Sequence, residues 1–311
     1  MSVRIGVIGL GLIGGSLLRA LHANGHDATG YDADPTTRLA ATSAGLRVAH
    51  TLDHWRADVT VLAVPLPALP AVLDGLGDYD GLLTDVVSVK RPVRDLLAGR
   101  RYVGGHPMTG KESSGFAHSD ADLFGHQVWA LCLEGDTDLG DWLDLARLFT
   151  GLGARVVPVG ADAHDAAVAA VSHVPHLLAG ALVHAATDPL QRTLAAGSYR
   201  DGTRVAVTRP ELVAAMAGGN ADAVREALDR VLDSLREARA ALDGPDPQAA
   251  VRDWFTPAWH TRRAWPVRPG PAQTVVVDRT ALLALGAEGG WVHTVEDDRH
   301  ITVMRPQLRV P

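Results

Sequence analysis

The chain has 311 residues, of which 47% are hydrophobic and 21% charged, with a formal net charge of −7. That length predicts about two domains, and the acidic balance excludes the basic footprint of a nucleic-acid binder. Cys132 is the single cysteine, which excludes an internal disulfide or a thiolate cluster. No apolar run reads as a span of about 20 residues, and the first strand starts too early for a signal peptide. The expectation is a cytoplasmic protein with no nucleic-acid and no membrane partner.

Residues 3–8 (VRIGVI) are apolar and β-branched, and Gly9-Leu10-Gly11-Leu12-Ile13-Gly14 follows at once, ahead of an apolar helical stretch at 16–22. Strand, glycine turn and helix in this order predict a dinucleotide site. Gly9 would allow the tight turn, Gly11 the close approach of a pyrophosphate, and Gly14 close packing of helix on sheet. The N–H groups and partial positive charge of the helix start, at Leu12 and Ile13, would face the phosphates. A second strand at 27–31 ends in Asp32, an acceptor for ribose hydroxyls that repels a 2′-phosphate, so NAD is expected over NADP. Arg38 nearby softens that preference. The alternative is a structural glycine turn with Asp32 on the surface.

Further on, residues 35–44 read as helix, 59–64 as a buried strand closed by Pro65, 66–76 as helix, 82–87 as strand and 89–97 as helix. Residues 102–105 lead into His106-Pro107-Met108. Strands at 128–133 and 154–159 flank a helix at 139–149. Alternation at this spacing predicts an α/β fold, a doubly wound parallel sheet with helices on both faces, over residues 1–160. The pattern then becomes helical over 161–264: an alanine-rich stretch at 161–187 interrupted at Pro175, then helices at 210–216, 220–242 and 249–263. Val224, Leu228, Val231, Leu232, Leu235 and Leu242 form an apolar stripe, expected to be core or a dimer interface. Residues 265–311 read as a short βαββ-like tail, too small for confident independent folding, that packs on the main body or pairs with a second chain.

Ligands of a doubly wound sheet bind beyond the carboxyl ends of its strands. Three stretches are expected there: Ala63-Val64-Pro65, the run from Asp85 to Lys90, and His106 through Gly115. His106 can take or polarise a proton near neutral pH, and Ser88 is placed to orient its ring. A strand-end histidine alone is more often structural; the dinucleotide site on the same sheet edge favours chemistry.

Gly9 to Gly14 with Ser16, the DVVSVK run at 85–90, HPM at 106–108 through Gly115, SHVPH at 172–176 and YRDGTRVA at 199–206 together resemble the prephenate dehydrogenase family, over about residues 1–262. That family includes the arogenate and aminodeoxyprephenate dehydrogenases. The resemblance implies a Rossmann-type domain, a helical domain and a homodimer. It implies oxidation of the 4-hydroxyl carbon of a cyclohexadiene (prephenate or arogenate) with hydride passing to NAD and the ring carboxylate leaving as carbon dioxide. By similarity His106 would accept the hydroxyl proton, with Ser88 bonded to it. Arg204 would bind a substrate carboxylate, Glu112 and Asp201 would join the polar network, His173 and His176 would close the site, and Val64 and Pro65 would border the cofactor.

The chemistry agrees: a guanidinium fork suits a dianionic substrate, and release of carbon dioxide yields an aromatic ring. No metal is required. His173 and His176 stand three apart but lack a third ligand at helical spacing; a satisfied helix break at Pro175 is their structural alternative, as an ion pair with Asp201 is for Arg204. Lys111 either meets a carboxylate or faces solvent, and the tail is shorter than a regulatory ACT domain. A β-hydroxyacid or 6-phosphogluconate type dehydrogenase would need a lysine base in the helical domain, and residues 161–263 contain none. A non-catalytic NAD sensor would not need the set of His106, Ser88 and Arg204.

Overall fold

The computed structural model describes residues 3–111 and 113–307. The chain divides into two units, one holding the residues up to His164 together with Ala272–Arg305, the other holding Asp165–Pro271 and the strand at 306–307.

In the first unit, β1 (Arg4–Ile8), α1 (Leu12–Ala23), β2 (Asp27–Tyr31), α2 (Pro35–Ser43), β3 (Val59–Leu62), α3 (Leu69–Leu76), β4 (Leu82–Asp85), α4 (Arg91–Leu96) and β5 (Tyr102–Val103) follow in order. The five strands form one parallel sheet in the order β2-β1-β3-β4-β5. Alternate strand residues point to opposite faces. Ile5, Val7, Val59, Val61 and Leu82 pack with Leu17, Leu18 and Leu21 of α1. Ile8, Leu62 and Leu83 pack with Leu69, Leu73 and Leu76 of α3 and Val93 of α4. Both faces are therefore covered, as the near-continuous apolar strands require. The strand order reverses between β1 and β3, so the turns after these two strands flank the switch-point crevice.

The chain leaves this sheet at Gly104. Residues after it form β6 (Gly105–Pro107), β7 (Val128–Cys132), α5 (Leu139–Gly151) and β8 (Arg155–Val159). These strands do not continue the parallel sheet, as the alternation suggested. They build a second, mixed sheet in which β6 runs antiparallel to β7 and β7 parallel to β8. Periodicity shows that a strand is buried but not which neighbour it pairs with. Its core is Trp129, stacked on Phe149 at 3.8 Å between ring centroids, with Phe124 beside it.

The C-terminal βαββ joins this sheet. The strands Gln273–Val276, His300–Met304 and Trp291–Val295 add to β8 through the register Val292 to Val156. The helix Arg279–Ala287 packs so closely on β8 that a Cβ at Gly286 would sit 1.8 Å from the Pro158 carbonyl oxygen.

The second unit is helical. α6 (Ala161–Val168) starts in the first unit and runs on through a π-turn at Ala169–His173 into the helix Val174–Ala185. Pro175, which lacks an N–H to donate, therefore does not end the helix; the widened turn before it absorbs the mismatch. Within Ala161–Ala185 an 18-residue window reaches a mean hydropathy of 1.7, enough by length and composition alone to cross a membrane, a test that core helices of soluble proteins also pass. The stretch is not an unbroken apolar run, because Asp162, His164, Asp165, His173, His176 and His184 interrupt it. Ala221–Ala241 and Pro247–Arg263 are the longest remaining helices. Of the predicted stripe, Val224 is buried with Ala169 and Val174, Leu228 and Val231 pack against that cluster, and Leu232, Leu235 and Leu242 are exposed.

Candidate active site

The glycine turn has the geometry its spacing predicted. Gly9 lies at φ +95°, where a side chain is strained, and a Cβ on Gly14 would stand 1.9 Å from the Gly9 carbonyl oxygen. Around Gly11 the opposite holds: a Cβ would meet nothing within 4 Å. Gly11 is the N-cap of α1 and supplies no side-chain cap. The first-turn N–H groups of Leu12 and Ile13, which have no intrahelical acceptor, thus start a helix beside open space. This cradle fits a pyrophosphate. Val64, half-buried, and Pro65, exposed, follow β3 at the other side of the switch point.

Asp32 stands just past the end of β2. One carboxylate oxygen accepts from Leu10 N–H (2.7 Å) and the other from Asp34 N–H (2.9 Å). Each oxygen keeps further lone-pair capacity for a ribose hydroxyl. Arg38 donates through Nη1 to the carbonyls of Asp32 (2.6 Å) and Ala33 (3.0 Å). Asp34 caps α2, and its bonds to Thr36 and Thr37 hold its carboxyl below the usual range.

His106 lies within the short strand β6, half-buried. Its Nδ1 is 2.9 Å from Nε2 of His164, a residue 3% exposed on α6. His164 was not legible as a partner, since a histidine beside an aspartate at a helix start reads as surface. The strand is pinned from behind by Lys90, 1% exposed, which pairs with Asp85 and donates to the Gly105 carbonyl (2.6 Å). Asp85, fully buried, also accepts from Val87 N–H (2.7 Å) and Tyr102 OH (2.5 Å). The lysine of the 85–90 run is thus a fastener for the residue before His106. Ser88 follows β4 and is half-buried.

The loop after His106 is tied to the dinucleotide helix. Ser16 Oγ accepts from Asp120 N–H (2.8 Å), Arg19 Nε donates to Ser119 Oγ (2.7 Å), and the Arg19 guanidinium lies over the Phe116 ring. Lys111 meets a carboxylate: it donates to Asp120 at 2.9 Å, and this contact with the Asp122 N–H holds Asp120 below the usual carboxylate range. Glu112 lies outside the described residues.

In the helical unit, His173 is buried in the π-turn with Nδ1 3.3 Å from Asn220 Nδ2, and the same amide donates to the Asp165 carbonyl (2.7 Å). His176 Nδ1 is 2.8 Å from the Ser172 carbonyl oxygen. Arg204 is exposed. Asp201 is paired with Arg200 at 3.3 Å. Among the described residues no group of three or more histidine, cysteine, aspartate or glutamate side chains is placed to hold a metal ion.

The sequence profile of the prephenate dehydrogenase nucleotide-binding domain matches residues 17–158, and that of the prephenate dehydrogenase dimerization domain matches residues 160–253. The chain belongs to the prephenate dehydrogenase family. It is 30% identical to the prephenate dehydrogenase of Bacillus subtilis over 84% of this chain and 75% of that one. A candidate prephenate dehydrogenase of Corynebacterium glutamicum has a similar structure, with a TM-score of 0.79 at 38% identity over 85% of this chain and 89% of that one. The Aquifex aeolicus prephenate dehydrogenase, solved with hydroxyphenyl propionate and NAD+, gives a TM-score of 0.77 at 25% identity over 85% and 98%. As a member of this family the protein is a nicotinamide-dependent oxidoreductase, which sets aside the β-hydroxyacid and sensor alternatives. The profile match begins at Leu17, downstream of the glycine turn, so the turn's own assignment stands on its geometry.

Proposed function

We propose that the protein oxidatively decarboxylates prephenate to 4-hydroxyphenylpyruvate in tyrosine biosynthesis, with NAD as hydride acceptor, as a cytoplasmic homodimer. The observation that carries this reading is the joining of His106 to the dinucleotide helix. The histidine strand is fastened by Lys90, and the loop that follows it is fastened to Ser16 and Arg19 of α1.

Bound NAD supplies the acceptor for the hydride. His106 takes the 4-hydroxyl proton as hydride leaves that carbon, so no protonated ketone forms, and loss of carbon dioxide aromatises the ring. Only one ring nitrogen of His106 serves this purpose, because Nδ1 is turned to His164. Ser88 stands at the neighbouring strand end, with a hydroxyl suited to His106 or the substrate. By the family resemblance Arg204 is assigned the substrate carboxylate, Glu112 and Asp201 the polar network around it, and His173 and His176 further substrate-binding roles. NAD is favoured over NADP because Asp32 presents a carboxylate where a 2′-phosphate would lie, while Arg38 is occupied by two backbone carbonyls.

The homodimer is supported by the dimerization-domain match and by the apolar side chains the helical unit leaves exposed, among them Leu182, Leu194, Val207, Leu235 and Trp259. Light scattering at micromolar concentration is expected to give twice the chain mass; a monomer would remove this part of the reading.

His106→Asn is expected to lower prephenate turnover by about 10²–10⁴-fold with NAD affinity unchanged. Full activity in that variant would refute the assignment of the base. Offering L-arogenate and 4-amino-4-deoxyprephenate in parallel decides the substrate: faster turnover of either would move the assignment to that member of the family.

A further inference from the structure

We infer that His164 is a positioning residue that fixes the tautomer of His106 and steadies the proton it takes up. The inference rests on the reading of His106 as the base. His106 Nδ1 and His164 Nε2 stand 2.9 Å apart, with the rings edge to face at 70° and centroids 5.1 Å apart. At that distance one nitrogen must donate and the other accept. If His164 were the donor, the proton of neutral His106 would have to sit on Nε2, and no lone pair would remain for the substrate hydroxyl. A working base therefore requires His106 to donate from Nδ1 and His164 to accept at Nε2, which places the His164 proton on its own Nδ1. The hydrogen bond made by one ring nitrogen sets the role of the other.

The same contact acts during the reaction. When His106 Nε2 takes the hydroxyl proton, the ring becomes an imidazolium and its Nδ1–H becomes a stronger donor. The bond to His164 then strengthens with the charge that develops. The acceptor is a neutral imidazole, so it orients without adding a fixed negative charge. Burial of His164 at 3% exposure keeps water from replacing it.

Among the described residues, several charged groups on the surrounding elements have partners of their own. Lys90 is on Asp85 and the Gly105 carbonyl, Arg91 and Arg94 are on Asp162, and Lys111 is on Asp120. Asp165, next in the chain to His164, presents its carbonyl to Asn220.

The test uses the full-length enzyme with His164→Ala, His164→Gln and His106→Asn. Each variant is measured for kcat and KM across pH, with NAD affinity and thermal unfolding as controls. His164→Ala is expected to lower kcat about 10–100-fold, with KM for prephenate and NAD affinity changed by less than about threefold. Without its acceptor the imidazolium of His106 is less stable, so the acidic limb of the kcat profile moves to lower pH. His164→Gln keeps a carbonyl acceptor at a similar reach and is expected to restore most of kcat and return the limb toward its original place. Unchanged kcat in His164→Ala would overturn the inference. So would a loss in which the limb does not move, or a Gln variant that folds but is as impaired as Ala. If His164→Ala fails to fold, the Gln variant decides: near-normal kcat and limb support the inference, loss of kcat overturns it. His106→Asn separates the two levels. If it is fully active, the assignment of the base has failed; if it is inactive while the His164 variants behave as wild type, only the role of His164 falls.

Discussion

At Gly14 and Gly11 a single carbon atom separates two kinds of requirement. A Cβ on Gly14 collides with the Gly9 carbonyl at 1.9 Å, whereas one on Gly11 enters open space. Gly14→Ala must therefore open the turn itself, and is expected to destabilise the protein by about 1–3 kcal/mol and to weaken dinucleotide binding. Gly11→Ala should leave thermal stability unchanged and weaken NAD binding alone, because the added methyl would enter the open space proposed for the pyrophosphate. Thermal unfolding and calorimetric titration with NAD separate the two. Equal destabilisation by both would show that Gly11 serves the fold. The tight turn at Gly9, the close approach at Gly14 and the place of Asp32 after β2 were legible because each rests on local backbone geometry. His164 and Lys90 were not, because their roles depend on contacts 58 and 15 residues away along the chain.

The segment from β4 to β6 shows what an element needs to hold a reactive side chain in place. Lys90 and Asp85 form a buried ion pair that also hydrogen-bonds Gly105, Val87 and Tyr102. Removing one member of such a pair leaves an uncompensated buried charge. Lys90→Met is expected to lower stability by about 3–5 kcal/mol, and Lys90→Met with Asp85→Asn to recover part of that loss. Denaturant unfolding of the single and double variants checks this, and an additive double variant would contradict it. Elements were readable in the sequence where apolar residues recur at strand or helix spacing, as in β1, β3, α1 and the helix Ala221–Ala241. Their partners were less so. β6 pairs antiparallel with β7 and starts a second sheet, a choice made by tertiary packing around Trp129 and Phe149. The π-turn before Pro175 likewise kept a helix running where the proline suggested an interruption.

Across the whole molecule the tail is part of a domain, not an appendage. Leu282, Leu285, Val292, Ile301 and Val303 belong to the same buried cluster as Trp129, Phe149 and Val156. Arg279 donates to the carbonyls of Glu134 and Thr137 in the turn before α5. Truncation after Pro271 would expose that cluster and leave β8 as a bare edge. The shortened chain is expected to aggregate or to lose cooperative unfolding; a soluble, cooperatively folding truncation would contradict the role given to the tail. The two-part plan of an α/β domain followed by helices was legible from the change in periodicity near Gly160. The return of the last strands to the first unit was not, because 131 residues intervene between β8 and the strand that joins it and no local signal names the partner.

The measurement that bears most directly on the account is NADH formation by the purified full-length protein, given prephenate with NAD and with NADP in matched sets, beside His106→Asn. The account predicts turnover with NAD, much slower turnover with NADP, and release of carbon dioxide in step with NADH. It also predicts loss of turnover without loss of NAD binding in the variant. A wild-type protein that binds NAD but leaves prephenate unreacted would contradict the proposed substrate, and undiminished turnover in His106→Asn would contradict the proposed chemistry.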